Sequence, residues 1–142
     1  MIYFDSTYLV RLYFKDPGFA AVRQLATTAP IACGLHGRAE VVSALHRKLR
    51  EGSLAPKLYA IALQEFANES HAGAFHWLPL SAAVFDHLHK AYATLPQTIA
   101  LRSADAIHLA CAAANGLKGI YSNDQRLLAA AAHFGLKGIN VI

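Results

Sequence analysis

The chain has 142 residues, of which 55% are hydrophobic and 15% charged, with 13 lysines and arginines against 9 aspartates and glutamates. This composition excludes a highly charged disordered chain, and no apolar run approaches the ~20 residues that a membrane-spanning helix needs. The length predicts one domain over residues 1–142, and the net charge of +4 is compatible with a polyanionic partner without requiring one.

Short apolar runs bounded by turn residues alternate along the chain with longer helical patterns. The short runs predict strands at residues 2–4, 30–33, 76–79, 119–122 and 138–142. The longer patterns predict helices at residues 8–14, 19–27, 38–50, 54–71, 80–95, 104–115 and 125–134. This alternation is typical of an α/β fold in which helices cover both faces of a parallel sheet.

Capping residues mark the start of several predicted helices. Ser6 and Thr7 follow the first strand, Ser103 precedes the sixth helix, and Asp124 stands directly before the last one. Their short side chains can accept hydrogen bonds from the free N–H groups of a first helical turn, so we expect them to act as N-caps. Asp105 would then lie in a first turn, where a negative charge is favourable.

The two cysteines and the chain start indicate a reducing compartment. Cys33 and Cys111 lie in apolar runs and form no Cys-x-x-Cys pair, so we expect both to be buried thiols. The opening MIYFDSTYLV has no basic leader and meets an acid at position 5, unlike a signal peptide. We therefore expect a cytoplasmic protein.

Four acids occupy equivalent positions in the predicted elements. Asp5 ends the first strand, Glu40 opens the helix after the second, Asp105 opens a later helix, and Asp124 follows a buried strand. In a parallel sheet, strand carboxyl ends and the following helix N-termini meet at one edge. We therefore predict that the four carboxylates converge there. A structural alternative stays open, because each acid at a helix start also satisfies the helix dipole or caps the helix without any shared site.

Four converging carboxylates repel each other strongly unless a cation is present. Oxygen ligands suit Mg²⁺ or Mn²⁺, and such an ion can activate a water for in-line attack on a phosphodiester and stabilise the leaving oxygen. The eight histidines contain no His-x-x-x-His pair with a third ligand, which argues against zinc.

Four segments at both ends of the chain carry a family resemblance. They read FDSTYLVRLYF at 4–14, GRAEVVSALHRK at 37–48, LRSADAIHLACA at 101–112 and YSNDQRL at 121–127. In order and spacing they resemble PIN domains, most closely the toxin ribonucleases of VapC type. Residues 53–95 match this family only in pattern, not by motif.

The resemblance implies a metal-dependent endoribonuclease with a three-layer α/β/α fold and a central, mainly parallel sheet of four to five short strands. The acids of the family map onto Asp5, Glu40, Asp105 and Asp124, and its hydroxyl residue before the last acid maps onto Ser122. Ser122 would hold a water or a carboxylate by a hydrogen bond. The usual Asp-Ser-Ser opening is DST at residues 5–7 here, which keeps a hydroxyl in place.

Several basic side chains are candidates for RNA contacts. Arg102 stands beside the predicted site, and its guanidinium can bind a phosphate bidentately. Arg47 and Lys48, with Arg50, fit RNA contacts, a solvated helix face or an acid-binding patch for a partner equally well. His108, on the Asp105 helix, is a core or supporting histidine more often than a catalytic base in such a position.

We therefore predict an Mg²⁺- or Mn²⁺-dependent endoribonuclease that acts as the toxin of a VapBC-type pair. The apolar composition predicts a homodimer, and the resemblance implies a small VapB-like antitoxin that covers the site. One alternative is a PIN nuclease with a housekeeping role in RNA processing or decay. A phospho-acceptor receiver domain would need an acidic neighbour for Asp5 and a lysine at the end of the last strand, and the sequence has neither. A catalytically inert binding module is the third alternative.

Overall fold

Five short strands, all paired in parallel, form the centre of the molecule in the computed structural model, which describes residues 1–142. The strands are β1 (Ile2–Tyr3), β2 (Ile31–Gly34), β3 (Phe75–Leu78), β4 (Gly119–Tyr121) and β5 (Lys137–Ile139). The first three pair in the order β1-β2-β3, and β4 pairs with β5. A parallel bridge between Phe4 and Tyr121 joins the two groups, so the strand order is β3-β2-β1-β4-β5.

Seven α-helices and one 3₁₀-helix connect the strands. They are α1 (Ser6–Tyr13), α2 (Phe19–Ala26), α3 (Gly37–Arg50), α4 (Pro56–His71), α5 (Ala82–Thr94), α6 (Ser103–Ala114) and α7 (Gln125–Ala130), with the 3₁₀-helix over Ala131–Phe134. None of these helices combines the length and the apolar character that crossing a bilayer requires.

Alternation along the strands divides the core into two parts. Ile31 and Cys33 of β2 pack with side chains of α1 to α4, whereas Ala32 packs with side chains of α5 to α7. Tyr3 and Ile120 lie on the same face as Ala32. Because successive strand residues point to opposite faces, each face of the sheet is covered by its own helices. The predicted α/β/α architecture, with a mainly parallel sheet of four to five short strands, is confirmed.

The starts of α1 and α6 change which residue is the N-cap. α1 begins at Ser6, because Asp5 itself caps the helix and its Oδ1 accepts a hydrogen bond from the backbone N–H of Tyr8 at 3.1 Å. α6 begins at Ser103, so this serine lies inside the helix. Arg102 occupies the N-cap position, without a side-chain capping bond.

The C-terminal elements are shorter than predicted. The helix predicted over 125–134 tightens into the 3₁₀-helix and ends at Gly135, whose φ of 72° is readily adopted only by glycine. The last strand ends at Ile139, because Asn140 then turns the chain. The Asn140 side-chain oxygen accepts hydrogen bonds from the Tyr8 hydroxyl and from the Ile142 N–H.

The strand order opens a crevice between β1 and β4. The chain moves outward from β1 to β3 and then returns to place β4 on the other side of β1. At such a reversal the connections leave the two central strands toward opposite faces, so their carboxyl ends border a cleft where α/β proteins bind ligands. Asp5 directly follows β1 and Ser122 directly follows β4, so the topology brings both residues to that cleft.

A glycine brings α3 to the same edge of the sheet. A Cβ atom built on Gly37 would lie 2.4 Å from the Sγ of buried Cys33 at the end of β2. The first turn of α3 can therefore approach β2 closely only because residue 37 has no side chain. Glu40 follows in that turn, at the edge that Asp5 and Ser122 occupy.

Candidate active site

Asp5 is a buried carboxylate with three hydrogen-bond donors. Only 2% of the residue is exposed. Its Oδ1 accepts bonds from the Thr7 hydroxyl at 2.6 Å and the Tyr8 N–H at 3.1 Å, and its Oδ2 accepts one from the Ser122 hydroxyl at 2.5 Å. Burial raises the pKa of Asp5 despite these donors and the nearby His108, because a desolvated carboxylate is costly to ionise.

Ser122 connects Asp5 to Asp124. While its hydroxyl donates to Asp5, its oxygen accepts a bond from the Asp124 N–H at 2.9 Å. As predicted, Asp124 is the N-cap of α7, and its Oδ1 accepts bonds from the N–H groups of Arg126 and Leu127. The other carboxylate oxygen of Asp124 has no hydrogen bond within the chain and is available to a ligand.

Glu40 is held by a chain of buried hydrogen bonds. His108 Nε2 donates to Glu40 Oε2 at 2.6 Å, and His108 Nδ1 lies 2.8 Å from the Tyr3 hydroxyl. The Gly34 N–H donates to the Tyr3 oxygen at 2.8 Å. A His108 proton on Nε2 lets the Tyr3 hydroxyl donate to Nδ1, and every donor in this chain of bonds then has an acceptor.

This hydrogen bond sets the ionisation of Glu40. Burial of the carboxyl opposes its ionisation, but the bond and charge of His108 outweigh that effect and lower the pKa of Glu40. His108, 1% exposed, therefore acts on Glu40 as a supporting residue. This agrees with the sequence interpretation that placed it beside the site rather than in the reaction.

Asp105 has no hydrogen bond to any protein group. It lies half-buried in the first turn of α6, as predicted. Burial and the negative charge of Asp124 raise the pKa of Asp105, and Glu40 adds to this effect while His108 and Arg102 oppose it. Asp124 and Glu40 therefore lie within electrostatic range of Asp105, but the four acids are not all equivalent. Asp5 is enclosed, whereas Asp105 has a free carboxylate.

The donor set fits a divalent cation with oxygen ligands. The free Asp105 carboxylate and the free oxygen of Asp124 are available as ligands, and the raised pKa values of Asp5 and Asp105 show that the folded chain disfavours their ionised forms. A cation would reverse that penalty. Carboxylate oxygens and water are the ligands that hard divalent cations such as Mg²⁺ and Mn²⁺ prefer.

The predicted basic residues have different surroundings. Arg102 is close enough to Asp105 to lower its pKa in opposition to the acids. Arg47 and Lys48 line a cleft of about 230 Å³ that Ser6, Thr7 and Asn123 also border, so the cleft reaches the site. Lys48, however, is paired with Asp16 at 2.7 Å, which leaves Arg47 as the more available cation.

Sequence reasoning missed His36. Its ring centroid lies 4.0 Å from that of His108, and its Nε2 lies 4.0 Å from Glu40 Oε2. Burial and the neighbouring His108 lower the pKa of His36 to about 4, so the ring is neutral at pH 7. The available signal was the spacing His36-x-x-x-Glu40, which places both side chains on one helix face. The structure thus brings two histidines and a glutamate together. The sequence does not indicate this group, because the two histidines are far apart along the chain.

The family profile of the PIN domain matches residues 2–133. The chain belongs to the PIN-domain family. The resemblance seen in the four sequence segments is confirmed, and this PIN domain has its acids at the edge where β1 and β4 end. Comparison with curated protein sequences gave no significant match.

Solved structures of three bacterial proteins have the same fold. FitAcB from Neisseria gonorrhoeae is similar with a TM-score of 0.75 and 16% identity over 99% of this chain and 97% of that one. VapBC2 from Rickettsia felis, bound to a promoter DNA fragment, has a TM-score of 0.69 and 17% identity, over 99% of this chain and 98% of that one. VapC20 of Mycobacterium tuberculosis, a Sarcin-Ricin loop cleaving toxin, has a TM-score of 0.67 and 18% identity, over 92% of this chain and 95% of that one. At these identities the similarity shows a shared fold.

Replacing Asp105 with asparagine should leave the metal-free protein at least as stable as the wild type at pH 7. The raised pKa of Asp105 means that its ionised form destabilises the folded state above that pKa, and that this penalty disappears on acidification. The advantage of Asp105→Asn should therefore shrink as the pH falls through the folded pKa. Urea unfolding in EDTA at several pH values measures this.

The matched control is Asp86→Asn, because Asp86 is an exposed acid on α5 away from the cluster. An acid that served only the dipole of α6 would instead lose roughly 0.3–1 kcal/mol of stability on neutralisation. A clear loss of that kind for Asp105→Asn at pH 7, with Asp86→Asn unchanged, would contradict the repulsive cluster.

Proposed function

We propose that the chain is a metal-dependent endoribonuclease and the toxin of a VapBC-type pair. The observation that carries the proposal is the set of carboxylates on both sides of the β1–β4 crevice, two of which have oxygen atoms free of protein partners. Asp5, Glu40, Asp105 and Asp124 would hold Mg²⁺ or Mn²⁺, directly or through water. When bound, the ion supplies activation of the attacking water and stabilisation of the charge that develops on the phosphate.

The residues around the acids would hold them in place. Ser122 and Thr7 fix the Asp5 carboxylate from two sides, and His108 fixes Glu40. Hydrogen bonds of this kind orient a metal ligand. Asp105, which has no protein partner, is the acid best placed to meet an ion or its water without losing a bond.

RNA is the substrate that the surface and the neighbours favour. The cleft beside the acids has Arg47 and Lys48 on its wall, and Arg102 lies close to Asp105. Cations around an acidic centre can hold the backbone of a single strand next to it. Among the structural neighbours, VapC20 is a Sarcin-Ricin loop cleaving toxin. An RNA substrate and two free, buried thiols accord with action in the cytoplasm.

An antitoxin and a second copy of the chain complete the proposal. Among the structural neighbours, VapBC2 is bound to a DNA fragment from its promoter, and a further one, FitAB, is bound to an IR36 DNA fragment. On this chain, an apolar groove of about 660 Å³ runs between α3 and α4, and Leu58 and Ile61 of α4 are exposed. Apolar surfaces of this kind favour partner contacts. A neighbouring gene for a small DNA-binding protein would separate a toxin from a housekeeping PIN nuclease.

Purified chain, free of antitoxin, should cleave RNA with Mg²⁺ or Mn²⁺ and lose that activity in EDTA. Asp105→Asn and Glu40→Gln should each lower the cleavage rate by about a hundredfold or more, because each removes a charge that holds the ion. Asp86→Asn should cleave like the wild type. Gel analysis of a defined RNA with 5′-end label gives the rates. Undiminished cleavage by Asp105→Asn, or by wild type in excess EDTA, would contradict the proposal.

Arg47→Ala should weaken RNA binding and lower its salt dependence. Loss of one phosphate contact on a single strand reduces the slope of log K against log salt by about 0.7. Fluorescence anisotropy in the slow Asp105→Asn background, with Mg²⁺ present, measures binding without cleavage. Lys57→Ala is the control, because it removes one exposed charge from the start of α4, outside the cleft. Equal slopes of log K against log salt for the two variants would show that Arg47 does not contact the RNA.

A further inference from the structure

His36 is a largely buried imidazole whose ring nitrogens make no hydrogen bond of good geometry. Its side chain is 14% exposed, and both ring nitrogens are buried without a partner in hydrogen-bond geometry, although the Ala104 backbone lies nearby. A buried polar atom that is left unpaired destabilises the folded state. A ligand that binds a ring nitrogen of His36 would remove this penalty.

The ligand atoms of His36 and Glu40 are close enough for a small side-chain rotation to bring them onto one metal ion. Bonds from a transition-metal ion to nitrogen and oxygen measure about 2.1 Å, so neighbouring ligand atoms on a tetrahedral ion stand about 3.4 Å apart. His36 Nε2 and Glu40 Oε2 are 4.0 Å apart. The spacing of four residues at the start of α3 keeps the two side chains on one face of the helix.

His108 has a different relation to Glu40. Its Nε2 lies only 2.6 Å from the same Oε2, which is a hydrogen-bond distance and leaves no room for an ion between the two atoms. His108 therefore holds Glu40 in place by a hydrogen bond, whereas His36 Nε2 makes no hydrogen bond to Glu40. Of the two histidines near Glu40, His36 is the one available as a ligand.

We propose that His36 and Glu40 together bind a first-row transition-metal ion at the inner wall of the site, so that the site prefers such an ion to Mg²⁺. Imidazole nitrogen strengthens the binding of Co²⁺ and Zn²⁺, whereas Mg²⁺ selects oxygen ligands and retains its waters. This inference rests on the proposed function in one respect, since Glu40 is shared with the acid cluster. It adds the class of metal that the cluster takes.

The test compares metal binding by the metal-free wild type and His36→Phe. Phenylalanine keeps a ring against His108 and removes the two ring nitrogens. Calorimetric titration should show that the wild type binds Co²⁺ and Zn²⁺ more tightly than Mg²⁺. His36→Phe should lose about tenfold or more in Co²⁺ affinity, as even supporting residues of metal sites cost 10–100-fold when changed, and keep its Mg²⁺ affinity.

His46→Phe is the matched control, because His46 is an exposed histidine on the same helix, and its Co²⁺ affinity should equal that of the wild type. A second readout needs no variant. Pulsed EPR of the wild type with bound Mn²⁺ should detect nitrogen coordination, and a spectrum with oxygen ligands alone would overturn the inference.

The outcomes separate this inference from the proposed function. Equal Co²⁺ affinity in wild type and His36→Phe, with Mg²⁺-dependent RNA cleavage intact in both, would overturn the role of His36 and leave the ribonuclease standing. A wild type that prefers Mg²⁺ would overturn the inference in the same way. Failure of the wild type to bind any divalent ion would overturn both.

Discussion

A chain of buried hydrogen bonds runs from Gly34 through Tyr3 and His108 to Glu40 and ties together β2, β1, α6 and α3. Tyr3 and His108 are almost completely buried. Buried polar groups are tolerated only when they are paired. The pairing requires α6 to dock on the sheet with His108 over Tyr3, and α3 to begin close to the end of β2. The hydrogen bonds of His108 to Tyr3 and Glu40 therefore both fix the packing of these elements and orient the Glu40 carboxylate.

The opposite wall of the crevice depends on a second constraint. Asp5 caps α1 and is enclosed by hydroxyl and N–H donors, one of which, Ser122, comes from the strand on the other side of the strand-order reversal. These donors do not fully offset its desolvation, and Asp105 has no donor at all. The fold therefore holds acids in positions that disfavour their charge. Such an arrangement is typical of sites that bind a cation or perform chemistry.

Much of this fold could be predicted from local patterns. Strand and helix alternation predicted the layered parallel sheet, and placing Asp5, Glu40, Asp105 and Asp124 at strand ends and helix starts predicted their shared edge. Local patterns do not encode strand order, however, so the crevice between β1 and β4 was not predictable from the sequence alone. Tyr3 was seen only as part of a strand, and its contact with His108 spans 105 positions. His36 was missed because a single histidine in a turn carries no periodic signal.

The chain also shows that a carboxylate that caps a helix can keep one oxygen free for a ligand. Asp124 behaves as the sequence predicts for a helix cap, yet it accepts capping bonds through one oxygen only. Asp5 was expected to precede the caps of α1 and is itself the cap. Capping and ligand binding are therefore compatible uses of the same carboxylate, since each of its oxygens has more than one lone pair. Local stabilisation of a helix start does not argue against a role in the site.

The central claim is that the acids at the β1–β4 edge form one cation site. X-ray diffraction from crystals of the protein grown with Mn²⁺, recorded near the manganese absorption edge, tests it most directly. The account predicts an anomalous peak roughly 2.0–2.6 Å from carboxylate oxygens of at least two of Asp5, Glu40, Asp105 and Asp124. A well-ordered crystal with no peak at this edge, or with manganese bound only elsewhere, would contradict it.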